Sequence, residues 1–206
     1  LTRSSAASDV YKRQVYGCKS DVQPNLVVKI QNPLVNSNSI RNEISILRHL
    51  QNEEHSATLV FAEVRLCTSY IVCERIVGPT LNVYLVQHRE ASFQDKILLA
   101  NQLLHAFQCL QRWHIVHRDI KYDNILIDTP SGASGEPCVR VIDFGLSVCQ
   151  PNLRAYAHNE VAGTYAFQCP EMYCGMCYNA GCDTWSLGVL LYLSLIHISE
   201  PTRPID

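Results

Sequence analysis

The chain has 206 residues, of which 17 are Lys or Arg and 19 are Asp or Glu, so its formal net charge is -2 at pH 7. This balance excludes a strongly basic nucleic-acid-binding protein, and 47% hydrophobic with 17% charged residues excludes a disordered chain. The longest apolar run, at residues 187–193, is too short to span a bilayer. We therefore expect a globular domain with no nucleic-acid or membrane partner. Its 10 cysteines are scattered along the chain, and we expect them to be reduced thiols of an intracellular protein.

The two ends differ from the rest of the chain. Residues 1–14 and 194–206 show neither a helical nor a strand period. The stretches SSAASDVYKRQ and SLIHISEPTRP within them are similar to translated sequencing-adapter read-through, an artefact of transcript-derived sequences. We expect both segments to be adapter-like artefacts, the first of them disordered, with natural disordered termini as the alternative. The informative part is then residues 15–193.

The N-terminal part, residues 15–76, is predicted to be rich in strands. Its predicted elements are strands at residues 15–22, 26–30, 59–67 and 70–74 and a helix at residues 39–50. The turn Gln23-Pro24-Asn25 joins the first two strands as a hairpin. The helix places four apolar residues on one face, namely Ile40, Ile44, Leu47 and Leu50.

The C-terminal part, residues 77–193, is predicted to be mainly helical. It begins at the breaker Val77-Gly78-Pro79, so Gly78 marks the boundary between the two parts. Its predicted elements are helices at residues 81–87 and 93–113 and short strands at residues 125–127 and 139–142. A turn-rich segment, residues 129–135, separates the short strands. The whole pattern predicts an α+β fold in two parts.

Residues 117–124 carry the pattern H-R-D-x-K-x-x-N. Phosphoryl transfer needs a carboxylate that orients and deprotonates the attacking hydroxyl, a cation that holds the moving phosphate, and an oxygen ligand for a metal ion. Asp119, Lys121 and Asn124 supply these three groups from one short loop. The loop is therefore the first candidate for a catalytic site.

Two further features fit the same chemistry. Asp143-Phe144-Gly145 follows a predicted strand, and a carboxylate at a strand end, followed by a glycine that permits an unusual turn, is a suitable Mg²⁺ ligand. Lys29 ends another predicted strand, and Glu43 lies 14 residues later on the amphipathic helix. A lysine that binds phosphates needs such a carboxylate to hold it in position.

These motifs resemble those of the protein kinase superfamily, and the resemblance spans residues 15–193. The matching segments are residues 26–29 with the phosphate-pairing Lys29, Glu43 of the following helix, the catalytic loop 117–124, the Asp-Phe-Gly motif at 143–145, Cys169-Pro170-Glu171 in place of Ala-Pro-Glu, and residues 183–188 at the start of a central helix. Their order and separations fit as well. The resemblance implies a bilobal fold with a β-rich N-lobe (15–76) and a partial helical C-lobe (77–193).

The resemblance also implies ATP and Mg²⁺ as cofactors and a protein serine or threonine as the phosphate acceptor. The implied catalytic roles are Asp119 for orienting the nucleophile, Lys121 for the γ-phosphate, Asn124 and Asp143 for Mg²⁺, and Lys29 with Glu43 for the α- and β-phosphates. The implied adenine-site residues are Val15, Val27, Cys73, Glu74, Ile76 and Leu126. Cys73 stands at the gate to the back of this pocket, and Glu74 and Ile76 lie in the hinge between the lobes.

Several other residues are expected to support the site. Phe144, His117 and Leu47 resemble members of a buried stack, and Asp183 is expected to tie down the catalytic-loop backbone. Lys121 and the segment Gly163-Thr164-Tyr165 resemble the corresponding residues of serine/threonine kinases. In those kinases this threonine contacts the catalytic aspartate and lysine.

The position of Arg118 beside Asp119 suggests control by a phosphate in the activation segment. Between Ser147 and Thr164, however, the only hydroxyl is that of Tyr156, so the expected serine or threonine is missing.

The sequence departs from the family pattern at both ends. A glycine-rich phosphate loop is expected just before Val15, where the adapter-like segment stands instead, and further helices are expected after Leu193. We therefore expect a truncated kinase that is inactive as this fragment. The alternatives are a pseudokinase or scaffold that binds nucleotide or partners without catalysis, and a small-molecule kinase of similar fold. The spacing of Cys169, Cys174, Cys177 and Cys182 also leaves open a zinc site.

Overall fold

The computed structural model describes residues 2–3, 14–18, 25–128, 137–155 and 158–196. Four predicted features therefore lie wholly or largely outside the described residues. These are most of the adapter-like ends (1, 4–13 and 197–206), the hairpin turn (23–25, of which only Asn25 is described), the turn-rich segment (129–135) and Tyr156.

The N-terminal part is a five-stranded antiparallel sheet with one helix. Its strands are β1 (Thr2–Arg3), β2 (Gln14–Cys18), β3 (Leu26–Gln31), β4 (Leu59–Val64) and β5 (Ser69–Glu74), in the order β1-β2-β3-β5-β4. β2 and β3 pair antiparallel as the predicted hairpin requires. β3 then pairs with β5, so the central strand carries Lys29 between two neighbours.

Helix α1 (Pro33–His49) begins six residues before the predicted start at residue 39. Its N-terminus is set by local chemistry, because the side chain of Asn32 accepts a hydrogen bond from the Leu34 amide and Pro33 occupies the first turn. The predicted apolar face is confirmed, since all four of its residues are buried: Ile40, Ile44, Leu47 and Leu50. This face anchors α1 in the core.

The C-terminal part is built around helices. Its elements are α2 (Leu81–Gln87), α3 (Phe93–Arg112), β6 (Ile115–Val116), β7 (Ile125–Asp128), β8 (Cys138–Val141), β9 (Val148–Cys149), α4 (Pro170–Tyr173) and α5 (Gly181–Ile196). α3 starts at a capping box in which Ser92 and Asp95 exchange hydrogen bonds. β7 pairs with β8, and β6 pairs with β9, a strand that sequence periodicity did not indicate.

One hydrophobic core joins the two parts. Buried residues of α1, β5, α3, β7, β8 and α5 form a single cluster, which includes Ile46, Ile71, Leu110, Ile127 and Leu190. A second, smaller cluster lies under residues 169–182. The model is therefore the α+β, two-lobed fold that the sequence predicts. In the described ranges, no helix has the length and apolarity needed to cross a membrane.

The loop after α1, residues 50–58, fastens the sheet to the C-terminal part. The amide of Val141 donates to the carbonyl of His55 at 2.9 Å, and Arg140 donates to the carbonyl of Glu54. Glu53 accepts a hydrogen bond of 2.6 Å from the indole nitrogen of Trp113, just after α3. The end of α1 is thus bound to β8 and α3.

Both adapter-like segments contain regular structure where the model describes them. Thr2–Arg3 pairs with β2, which corrects the expectation of disorder at these two residues. α5 continues through Ile196, three residues beyond Leu193. That the two segments are artefacts stays a prediction.

Gly78 lies where the chain passes from the sheet to the helices. A β-carbon built on Gly78 would lie 1.8 Å from the carbonyl oxygen of Ile127. Because the obstacle is backbone, no side-chain rotation relieves the contact. Ile127 is also held in place, since its amide donates to the Pro79 carbonyl at 2.9 Å.

We expect Gly78→Ala to lower the free energy of unfolding of the 206-residue chain by about 2 kcal/mol, the usual cost of overpacking. The matched control is Gly188→Ala within α5, where a β-carbon meets nothing within 4 Å. This control should raise the free energy of unfolding by up to about 1 kcal/mol, since alanine is the better helix former. Denaturant titration measures both, and equal effects would contradict the close-approach argument.

Candidate active site

Asp119 is the centre of a hydrogen-bonded network in the catalytic loop. Its carboxylate accepts a 2.8 Å hydrogen bond from the Thr164 hydroxyl and a 3.0 Å bond from the Asn124 amide nitrogen. The ammonium of Lys121 lies 3.0 Å from the same carboxylate and 2.8 Å from the Thr164 oxygen. The structure thus brings together the three residues that the motif predicts, with Thr164 as the expected fourth.

The backbone of this loop is held from below by Asp183. Its two carboxylate oxygens accept hydrogen bonds from the amides of His117 and Arg118, at 2.6 and 2.8 Å. Burial raises the pKa of Asp183, although His117, Arg118 and these two amides favour the charged form. The expected role of Asp183 in tying down the loop is confirmed by these contacts.

The predicted buried stack is also present. His117, Phe144 and Leu47 are all buried, and the ring centroids of His117 and Phe144 lie 5.2 Å apart. His117 Nε2 contacts the Ile142 carbonyl at 3.1 Å. These contacts join the catalytic loop to the segment that carries Asp143.

Lys29 is paired with two carboxylates from different elements. Its ammonium lies 2.6 Å from Glu43 Oε1 on α1 and 2.7 Å from Asp143 Oδ1. Burial lowers the pKa of Lys29, but the charges and hydrogen bonds of Glu43 and Asp143 outweigh it, so the net pKa is raised. Lys29 is therefore cationic at neutral pH, as binding to phosphates requires.

Asp143 has an unusual backbone conformation. Its φ of 62° lies in the left-handed region, which aspartate tolerates better than most residues. This conformation follows β8 directly and turns the chain into the short 3₁₀ segment Phe144–Leu146. The predicted strand-end carboxylate is thus placed within reach of Lys29.

Two residues of α1 that sequence reasoning missed hold this region in place. The Ser39 hydroxyl donates to the Gly145 carbonyl at 2.5 Å, and the Asn42 amide donates to the Ser147 carbonyl at 2.5 Å. A signal was present in the sequence, because Ser39, Asn42 and Glu43 are spaced by three and four residues and so share one helical face. That face points at the Asp-Phe-Gly segment.

The predicted adenine-site residues lie on β2, β3, β5 and β7, except Ile76, which follows β5. In the strand register, Val15 is opposite Lys29, Val27 is opposite Cys73, and Leu26 is opposite Glu74. Ile76 packs against the core, and Leu126 on β7 forms a bridge with Thr80. That these residues form an adenine pocket stays a prediction.

Cys73 is half-buried beside the ion pair. Burial, followed by the charge of Glu43, raises the pKa of its thiol to about 11. The thiol is therefore protonated at neutral pH and weakly nucleophilic. This agrees with a packing role, whereas its place at the gate of a pocket stays a prediction.

The residues present fit Mg²⁺ and a nucleotide triphosphate. Asn124 donates both its bonds through the amide nitrogen, to the Asp119 carbonyl and carboxylate at 2.8 and 3.0 Å, so its amide oxygen is the ligand it offers a cation. The Ile142 amide donates to the Asn124 carbonyl at 3.0 Å, which links this loop to Asp143. In addition, Glu43 Oε2 is buried with no hydrogen-bond partner among the described residues, a sign of a site not satisfied by protein alone.

The structure does not bring the four cysteines of the possible zinc site together. Cys169 and Cys182 are buried in the second core cluster, whereas Cys174 and Cys177 are exposed. Over the part of the chain that the model describes, no group of three or more His, Cys, Asp or Glu side chains is placed to hold a metal ion. The zinc hypothesis gains no support.

A groove of about 660 Å³ opens elsewhere, between α2, α3 and β8. Its lining includes Tyr84, His88, Leu98, Gln102 and Val139. None of the predicted site residues contributes to it. The groove is therefore separate from the candidate active site.

The two lobes and the site between them define the class. A strand lysine paired with a helix glutamate, an aspartate after β8, and an Asp–Lys–Asn loop locked to a threonine are the parts of a protein-kinase catalytic domain. Comparison with known families agrees with this class. The chain belongs to the protein kinase family, because the family model described as "Protein kinase domain" matches residues 12–202.

The most similar curated relatives include serine/threonine kinases. The chain is 30% identical over 193 residues to human "Serine/threonine-protein kinase D3". The matched region covers 88% of this chain and 20% of that protein. It is also 30% identical over 193 residues to "Serine/threonine-protein kinase D2" of Rattus norvegicus, covering 88% of this chain and 21% of that protein. The chain thus spans about a fifth of the length of these relatives.

Proposed function

We propose that this chain is the catalytic part of a serine/threonine protein kinase, which transfers the γ-phosphate of Mg-ATP to serine or threonine hydroxyls of proteins. The observation that carries the proposal is the network of Asp119, Lys121 and Thr164, with contacts of 2.8 to 3.0 Å. In the same cleft, Lys29 pairs with Glu43 and Asp143. The contacts therefore support both the group of residues that would act on the substrate hydroxyl and the group that would bind the nucleotide phosphates.

Asp119 is the group that orients the attacking hydroxyl and accepts its proton. Its carboxylate is held by three donors, so it has a fixed position at which a substrate hydroxyl can donate to it. Lys121 sits beside it as the cation that stabilises the charge of the transferred group. Thr164 connects the two side chains and fixes their separation.

Lys29, Asn124 and Asp143 are the residues that hold the nucleotide. Lys29 is already aligned by Glu43, so its ammonium loses little freedom when it binds the α- and β-phosphates. Asn124 and Asp143 offer oxygen ligands from two segments that a backbone hydrogen bond joins. When bound there, Mg²⁺ neutralises charge on the phosphates.

Two observations support serine and threonine over tyrosine as acceptors. The Lys121–Thr164 contact of 2.8 Å is the arrangement that the serine/threonine kinase resemblance implies. The relatives named above are also serine/threonine-protein kinases.

The test measures phosphate transfer by the complete natural protein that contains this chain. We expect γ-phosphate transfer to peptides with a central serine or threonine, and none to matched peptides with tyrosine. Chelating Mg²⁺ with EDTA should abolish transfer, and added MgCl₂ should restore it. Mg-ATP binding without any transfer would contradict the proposal and favour the pseudokinase alternative.

A further inference from the structure

We propose that Glu160 is a positioning residue that permanently supplies the negative charge holding the activation segment on Arg118, so that this kinase needs no phosphate there. The activation segment here means residues 143–171. The proposal rests on the proposed kinase function, because its consequence is the position of Asp119. Three separate observations support it: the ion pair between Glu160 and Arg118, the hydrogen bonds of Tyr178 that hold the Glu160 backbone, and the contact of Thr164 with Asp119.

Arg118 needs an anionic partner. Its side chain is only 9% exposed, and a guanidinium so buried is costly unless it is hydrogen-bonded and paired. Its Nε donates to the Leu146 carbonyl at 2.6 Å, and its backbone is fixed by Asp183. Arg118 also has a φ of 66°, in the left-handed region that a non-glycine residue adopts only under constraint.

Glu160 meets that need from the activation segment. Its Oε2 lies 3.5 Å from Arg118 Nη1. Among the residues described by the model, no other carboxylate forms an ion pair with the guanidinium of Arg118. The same Nη1 lies 3.3 Å from the hydroxyl of Tyr178, a neutral group at physiological pH whose pKa burial raises further. Glu160 is therefore the carboxylate of the activation segment that pairs with Arg118, in addition to the buried charge of Asp183 on α5.

Tyr178 anchors the backbone on which Glu160 stands. Tyr178 is buried, and its hydroxyl donates to the Glu160 carbonyl at 2.8 Å. Its backbone exchanges two hydrogen bonds with His158, of 2.8 and 3.3 Å. His158 is held in turn by Gln150 at 2.8 Å. Residues 158–160 are thus fixed where the Glu160 side chain reaches Arg118.

The anchored segment leads directly to the catalytic aspartate. Three residues after Glu160, a β-carbon on Gly163 would lie 2.2 Å from the Arg118 carbonyl oxygen, so the two backbones touch. The next residue, Thr164, donates to Asp119 at 2.8 Å. A segment released from Arg118 would loosen Thr164 and, through it, the orientation of Asp119.

The sequence lacks the hydroxyls that would supply a phosphate instead. Between Ser147 and Thr164 there is no serine or threonine, and the only hydroxyl belongs to Tyr156, which lies outside the described residues. A phosphate orders a segment by pairing with arginine, and a carboxylate does the same with less charge. Glu160 is 76% exposed, so its contribution is expected to appear in local order and rate more than in global stability.

The experiment compares Glu160→Gln, Glu160→Asp and the control Glu90→Gln, an exposed glutamate in the α2–α3 loop, in the complete natural protein. We expect Glu160→Gln to lower kcat about 5-fold with the KM for ATP unchanged, and Glu160→Asp to recover most of the loss. In an Arg118→Gln background, Glu160→Gln should have no further effect. A full 5-fold loss in that background, or wild-type kcat in Glu160→Gln, would overturn the proposal.

Two further measurements make the result independent of turnover and of folding defects. Amide hydrogen exchange at residues 158–164 should be about 5-fold faster in Glu160→Gln than in Glu90→Gln, with equal exchange in α3. An unchanged exchange rate in Glu160→Gln would overturn the proposed role of Glu160, whether or not the wild-type protein transfers phosphate. Absence of phosphate transfer by the wild-type protein would instead refute the proposed kinase function. Phosphatase treatment should leave wild-type kcat unchanged, and a loss of kcat on removal of phosphate from Tyr156 would also overturn the proposal.

Discussion

Asp119→Asn is expected to lower kcat for phosphate transfer to a serine peptide by about 10³-fold, while Mg-ATP binding stays measurable. Asparagine cannot accept the proton of the attacking hydroxyl. It also turns one acceptor oxygen into a donor, which faces either the Thr164 hydroxyl or the amide nitrogen of Asn124. In the proposed site the nucleotide is held mainly by other residues, so binding should survive.

The measurement is steady-state peptide phosphorylation by the complete natural protein, with nucleotide affinity followed by titration calorimetry. Glu90→Gln serves as the control for loss of a carboxylate away from the site, because Glu90 is exposed in the α2–α3 loop. Turnover within a few-fold of wild type in Asp119→Asn would refute the role of Asp119 as the proton acceptor.

Lys29→Met is expected to lower the free energy of unfolding of the 206-residue chain by about 3 kcal/mol. The side chain of Glu43 is only 3% exposed, so removing its cation leaves a buried carboxylate without a counter-charge. In the complete natural protein, the same variant should also reduce kcat by about 10²-fold or more, because a phosphate-binding cation is lost.

A second substitution separates the structural effect from the catalytic one. In Lys29→Met/Glu43→Leu, an apolar pair of similar volume replaces the buried ion pair, so most of the lost stability should return. The kcat should not return, since neither side chain can bind phosphate. Denaturant titration and peptide phosphorylation measure the two effects. Recovery of kcat in the double variant, or a single variant as stable as wild type, would contradict this assignment.

The periodicity of the sequence was sufficient for most elements. The apolar spacing of α1 predicted its buried face, and α2 falls at the predicted residues. The predicted start of α1 at Ser39 was wrong by six residues, because the apolar spacing marks only the buried face from Ile40 onward, whereas the helix begins at the local Asn32-Pro33 cap. β9 was missed because two residues are too short to show a period.

For the site, motif order was more informative than periodicity. Lys29, Glu43 and Asp143 are separated by up to 114 residues along the chain, yet the structure places a carboxylate oxygen of Glu43 and one of Asp143 within 2.7 Å of the Lys29 ammonium. The contacts of Tyr178 and Glu160 could not be predicted in the same way, since each depends on a loop path that only the folded chain defines.

The attachment of α1 at two places has a mechanical consequence. Ser39 and Asn42 in its middle bind it to the segment after Asp143, and the loop that follows its C-terminal end is bound to β8 and α3. These bonds hold α1 to the C-terminal part, while its apolar face also packs against the sheet. A tilt of the sheet away from α1 would therefore have to break the 2.6 Å pair between Lys29 and Glu43.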